Sequence, residues 1–95
     1  MKLWVDDLRE PPGWNDGQWV WAKTSLEAIA CIKWGSPITE MSLDHDLGGD
    51  DTTRPLILFL CEYGGWPDKV VVHTANPVGR EWLEGMIARY QPVPS

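Results

Sequence analysis

Three short polar clusters carry the residue types from which a phosphate-handling site can be built: Asp6-Asp7, Asp44-His45-Asp46 and His73-Thr74. Converging carboxylates repel one another unless a cation sits among them, and an all-oxygen donor set selects Mg²⁺ or Mn²⁺ over zinc. Asp6, Asp7 and Asp44 are the candidate ligands, with Asp46 as a fourth. His45 and His73, the only histidines, titrate near neutrality and suit general acid and base roles in phosphoester chemistry. The run Asn76-Pro77-Val78-Gly79-Arg80 opens a helix. Free amide groups, a small glycine and the Arg80 charge make it a candidate phosphate seat, and Arg9 is a second donor. Each cluster also has a plain structural reading. The aspartates end a strand or shape a turn, and His73 is a satisfied histidine behind an apolar strand. His45 is a charged partner for the acids beside it, Asn76 an ordinary N-cap, Arg80 an exposed side chain and Arg9 half of an ion pair. The stretch from Asp44 fails the EF-hand pattern, with Gly48 at its fifth position and Pro55 where a bidentate Glu is required. Asp50 and Asp51 read as solvated acids in a mobile loop.

These residues need elements to position them. Lys2 to Val5, Trp19 to Ala22, Ile38 to Leu43 and Lys69 to Val72 read as strands, the last a β-branched run expected to be buried on both faces. Thr24-Ser25-Leu26-Glu27 is a capping box, and Leu26, Ile29, Ala30 and Lys33 follow at helical spacing until Gly35-Ser36-Pro37. A second helix begins near Thr53-Arg54-Pro55 and ends at Gly64-Gly65; a third starts behind Asn76 and carries Leu83, Met86, Ile87 and Tyr90 as its apolar stripe. The order implies a small open α/β sheet, mainly parallel, of about four strands with about three helices. Ligands bind such sheets beyond the carboxyl ends of the strands, where the three clusters lie.

With 95 residues, 43% apolar and 23% charged, the chain has material for one core: a single domain over residues 1–91 and a short Pro-containing tail, 92–95. A net charge of −6 argues against duplex DNA and anionic membranes as partners. No apolar run is long enough to span a membrane, and the start breaks into acids too early for a signal peptide, so the expected location is cytoplasmic. Cys31 and Cys61 read as reduced core residues. Among seven tryptophans, Trp4, Trp21 and Trp82 read as core, while Trp14 and Trp66 read as partly exposed.

Leu3-Trp4-Val5-Asp6-Asp7-Leu8-Arg9-Glu10-Pro11-Pro12, Ser42-Leu43-Asp44-His45-Asp46-Leu47-Gly48 and Val72-His73-Thr74-Ala75-Asn76-Pro77-Val78-Gly79 resemble the three signature blocks of the cyclic-phosphate processing receiver-like domains. The resemblance implies a flavodoxin-like receiver fold. It maps Asp6 and Asp7 onto an acidic metal pair, Asp44 onto a phosphoacceptor and Thr74 onto a conserved hydroxyl residue that joins the catalytic set. Unlike ordinary receivers, this sequence lacks a fifth strand with its following lysine, and its first crossover is a Pro-rich loop. The implied activity is metal-dependent hydrolysis of a cyclic phosphate, either a cyclic nucleotide, such as an immune signal that the protein removes, or a cyclic-phosphate RNA end. A non-catalytic module binding a nucleotide or protein, and a degenerate phosphoacceptor, are the alternatives. The fourth strand, left as an open edge, suggests a homodimer.

Overall fold

In the structure, a computed structural model describing residues 1–35 and 37–92, the elements follow in the order strand, loop, strand, helix, strand, helix, strand, helix. They are β1 (Lys2–Val5), β2 (Trp19–Ala22), α1 (Ser25–Trp34), β3 (Glu40–Leu43), α2 (Arg54–Tyr63), β4 (Lys69–Val72) and α3 (Pro77–Tyr90). Ser36 of the expected helix stop and residues 93–95 of the expected tail lie outside the described residues. The four strands form one parallel sheet in the order β2-β1-β3-β4, the α/β receiver-like arrangement. β3 starts at Glu40, not Ile38; Thr39 is still extending the sheet, donating to Met1 O and accepting from Lys69 N. The crossover from β1 to β2 holds only a 3-10 turn, Trp14–Asp16.

Two of the three helices, α1 and α3, begin at a side-chain cap. Thr24 Oγ1 accepts the Glu27 amide, while Glu27 reaches back to the Lys23 amide, one residue before the cap. Asn76 Oδ1 caps α3 by accepting from the Val78 and Gly79 amides. Period-2 alternation then divides the sheet. Leu3, Val5, Met41 and Leu43 share one core with Ala28 of α1, Leu56, Ile57 and Leu60 of α2, and Leu83 of α3, so all three helices cover one face. The opposite face carries the row Trp21, Trp4, Ser42 and Val71, with the β1–β2 loop over part of it.

That two-layer construction corrects several expectations. β4 is covered on one side only: Val71 is 38% exposed, because no helix packs over its face. Leu26 is 77% exposed; α1 instead turns Ala28, whose small side chain allows close approach to the sheet, into the core. Tyr90, at the last turn of α3, is 47% exposed, and Cys61 lies on the solvent side of α2. Trp21 and Trp82 are half-buried, whereas Trp4 is buried; Trp14 is exposed and Trp66 half-buried. The loop after β3 is ordered by its own hydrogen bonds: Leu47 N donates to Asp51 O and Asp51 N to Gly48 O. Asp51 is not a free acid, since its carboxylate accepts the Ser25 amide at 2.8 Å and the Ser25 hydroxyl at 2.6 Å. No helix among the described residues is long and apolar enough to cross a membrane.

The open edge of β4 is partly closed by α3. Lys69 N and His73 N point to β3, so the even-numbered residues turn their carbonyls outward. Arg80 donates to two of these, Val72 O at 3.2 Å and Thr74 O at 2.9 Å, and Gln91 donates to Pro67 O and Asp68 O. A second strand therefore meets an edge shorter and more obstructed than sequence implies.

Candidate functional site

The sheet order reverses between β1 and β3, and the ends of these two strands deliver the carboxylates. One oxygen each from Asp6, Asp7 and Asp44 lies within 4.8 Å of the others. Asp6 is buried and held rigidly: Oδ1 accepts the Leu8 and Arg9 amides at 2.9 Å each, and Oδ2 contacts His73 Nε2 at 2.9 Å. Burial alone raises the Asp6 pKa, but the Arg9 and Leu8 amides and then His73 more than offset it, leaving the carboxyl below its ordinary range. Asp7 and Asp44 are half-buried. Asp44 Oδ1 accepts the His45 amide at 2.8 Å, leaving its other oxygen available. Gly48, at φ +85°, passes close under Asp7, where a Cβ would lie 3.1 Å from Oδ2. Three oxygen donors with Asp7 and one Asp44 oxygen unclaimed fit a hard divalent cation that keeps part of its water shell. Asp46 lies outside the trio: Oδ1 contacts His45 Nδ1 at 3.0 Å and Oδ2 accepts from Asn76 Nδ2 at 3.0 Å.

The two histidines are built in. His45 is buried, and Arg54 Nε, which can only donate, points at its Nε2 at 3.0 Å. Nδ1 therefore carries the hydrogen given to Asp46, and neither nitrogen is free to carry a substrate proton. Arg54 is itself stacked over Trp82, 4.6 Å from the ring centroid. His73 lies face to face with Trp4, centroids 4.0 Å apart and planes 7° from parallel, and its Nδ1 meets Ser42 Oγ at 2.8 Å. Burial pushes the His73 pKa below its ordinary value, outweighing the upward pull of Asp6 and Asp44.

The expected phosphate seat is occupied by the protein's own groups. Asn76 Oδ1 takes the Val78 and Gly79 amides, and Arg80 spends its guanidinium on Val72 O, Thr74 O and Glu84. Gly79 serves packing: a Cβ there would come within 2.3 Å of His45 Cγ. Thr74 is buried and its hydroxyl accepts the Asn76 amide at 3.2 Å. Arg9 is the donor that stays at the site, with Nε 3.6 Å from Asp6 Oδ2 and a side chain 60% exposed. A separate cavity of about 360 Å³, lined by Ile32, Gly35, Pro37, Ile38, Gly65 and Trp66, lies at the amino ends of β3 and β4, away from the acids.

The model of the cyclic-phosphate processing receiver domain matches residues 1–89. The chain belongs to this family. No curated protein and no solved structure matches it. The candidate site of this cyclic-phosphate processing receiver domain is a carboxylate trio at the sheet switch point, with Arg9 beside it and a histidine behind it. Sequence reasoning missed Ser42, Trp4 and Arg54 as supports. The available signal for Ser42 was a lone hydroxyl within the apolar strand Met41-Ser42-Leu43.

Proposed function

We propose that the domain hydrolyses a cyclic phosphate, a cyclic nucleotide or a cyclic-phosphate RNA end, in a reaction that requires Mg²⁺ or Mn²⁺. The observation that carries this reading is the convergence of Asp6, Asp7 and Asp44 beside Arg9, within a family named for cyclic-phosphate processing. Asp7 and the open oxygen of Asp44, with Asp6 behind them, would hold the cation. A bound cation supplies Lewis-acid polarisation of a phosphate oxygen and lowers the pKa of water. The chain does the rest. The Leu8 and Arg9 amides keep Asp6 ionised and oriented, and the exposed Arg9 guanidinium meets phosphate charge. His45 and Asp46 brace the loop that carries Asp44. In the net reaction water adds to phosphorus, one ring P–O ester bond breaks, and the leaving oxygen takes up a proton.

The test is a panel of cyclic mono- and dinucleotides and RNAs with cyclic-phosphate ends, incubated with Mg²⁺, Mn²⁺ or EDTA and read by mass spectrometry. A product heavier by one water is expected with cation only, and Asp7→Asn and Asp44→Ala should abolish it. Ligand returned intact across the panel, or phosphate retained on Asp44 after treatment with acetyl phosphate and no hydrolysis, overturns this reading.

A further inference from the structure

Ser42 of β3 and the residues just past the ends of β4 and β1 form a continuous chain: Ser42 Oγ to His73 Nδ1 at 2.8 Å, and His73 Nε2 to Asp6 Oδ2 at 2.9 Å. The order hydroxyl, imidazole, carboxylate is that of a hydrolytic triad, but Ser42 is 5% exposed, on the sheet face beneath Trp4 and His73. No reacting phosphorus can reach its hydroxyl, so the chain does not supply a nucleophile. Its direction is fixed by valence. Asp6 Oδ2 belongs to an ionised carboxylate that only accepts, so His73 Nε2 carries a hydrogen; a neutral ring then offers a lone pair at Nδ1, to which Ser42 donates. Trp4 stacks on the ring and is pinned by its own Nε1 donation to Arg9 O at 2.7 Å, so rotation of the imidazole is blocked.

We infer that Ser42 is a positioning residue of the carboxylate site: Asp6 dictates the Nε2–H tautomer of His73, and Ser42, by donating to Nδ1, holds the ring in the orientation from which that hydrogen orients Asp6 toward Asp7 and Asp44. This rests on the carboxylate trio being a cation site for its consequence in binding, though not for the tautomer itself. Hydrogen-bond partners that orient ligating carboxylates typically change metal affinity by about 10–100-fold when removed.

His45 provides an internal control, because Arg54 and Asp46 hold it in the opposite, Nδ1–H, form. Two-bond ¹⁵N–¹H correlation spectra of metal-free, ¹⁵N-histidine-labelled protein at neutral pH should show His73 as pure Nε2–H and His45 as pure Nδ1–H. Ser42→Thr should keep the His73 pattern, whereas Ser42→Ala, with Asp6 still requiring Nε2–H, should keep the tautomer, move the Nδ1 signal toward that of a lone pair without a hydrogen bond, and leave His45 unchanged. If Ser42→Ala does not fold, Ser42→Cys, of the same shape with a weaker donor, serves the same comparison. Mn²⁺ titration should then show affinity about 10–100-fold weaker in Ser42→Ala and near wild type in Ser42→Thr. A wild-type His73 in the Nδ1–H or mixed form, or a Ser42→Ala spectrum and Mn²⁺ affinity equal to wild type, overturns the inference. Absence of Mn²⁺ binding in wild type overturns the cation-dependent reading instead, and the spectra alone then decide the role of Ser42.

Discussion

Gly79 and Gly85 lie on the same helix, and the structure gives them opposite responses to an added methyl group. A Cβ at Gly85 meets nothing within 4 Å, so Gly85→Ala gains the helical preference of alanine over glycine, about 0.5–1 kcal/mol. At Gly79 the same methyl would lie 2.3 Å from His45 Cγ and 2.7 Å from Cβ and Nδ1. The ring cannot yield freely, because Asp46 and Arg54 hold its two nitrogens at 3.0 Å each. Forcing it aside adds overpacking of about 1–3 kcal/mol, and loosening its buried hydrogen bonds adds about 1–3 kcal/mol more. After the propensity gain is subtracted, Gly79→Ala should destabilise by about 1–5 kcal/mol. For a domain of this size that corresponds to a Tm lower by about 4–40 °C, whereas Gly85→Ala should raise it by about 2–8 °C. Paired urea and thermal unfolding of the two variants decides the matter. If Gly79→Ala stabilises as much as Gly85→Ala, His45 is not wedged against α3, and its bracing of the Asp44 loop falls with it.

Asp51→Ala should cost about 2 kcal/mol in urea unfolding, because it removes both carboxylate bonds to Ser25 at the start of α1; a change below about 0.5 kcal/mol refutes the clamp. Arg80→Ala should uncover the Val72 and Thr74 carbonyls and shift the protein toward concentration-dependent association in sedimentation velocity; an unchanged sedimentation profile contradicts the edge-sealing role. The Asn76 amide, followed by His45, holds the Asp46 pKa below the ordinary carboxylate range. Its contribution to stability is therefore complete above that range and lost as pH falls through the lowered folded value, so the gap between wild type and Asp46→Asn in metal-free protein should shrink on acidification. A gap that is constant or widens there removes Asp46 from the brace.

Much of the frame was legible because it depends on local signals. β-branched runs, the capping pattern at Thr24 and Pro55 and Pro77 at helix starts fix the elements, and strand ends then place Asp6, Asp7 and Asp44 at one edge. What stayed hidden depends on register. Ser42 and His73 are 31 residues apart and meet because β3 and β4 pair Ser42 with Val71, two residues before His73 on the same face. Gly79 illustrates a different limit: a small residue at a helix start serves an approaching anion or an approaching side chain equally well, and only the position of His45 separates the two. Leu26 was misplaced because a short helix packing through Ala28 has a narrow buried stripe.

The cations of this acidic chain also bear on how substrate enters. Arg54 is held between His45 and Trp82, and Arg80 is spent on backbone carbonyls and Glu84, so neither is available to an incoming phosphate. Arg9 remains, already drawn toward Asp6. On the proposed reading, three carboxylates facing one guanidinium leave the metal-free edge negative, and an anionic substrate is repelled. One divalent ion together with Arg9 balances the three carboxylates. On that reading cation binding precedes substrate binding, and a single ion is enough to bring the trio and Arg9 to neutrality. A second ion would have to recruit an acid outside the trio, and the nearest candidate by sequence, Asp46, has its oxygens committed to His45 and Asn76.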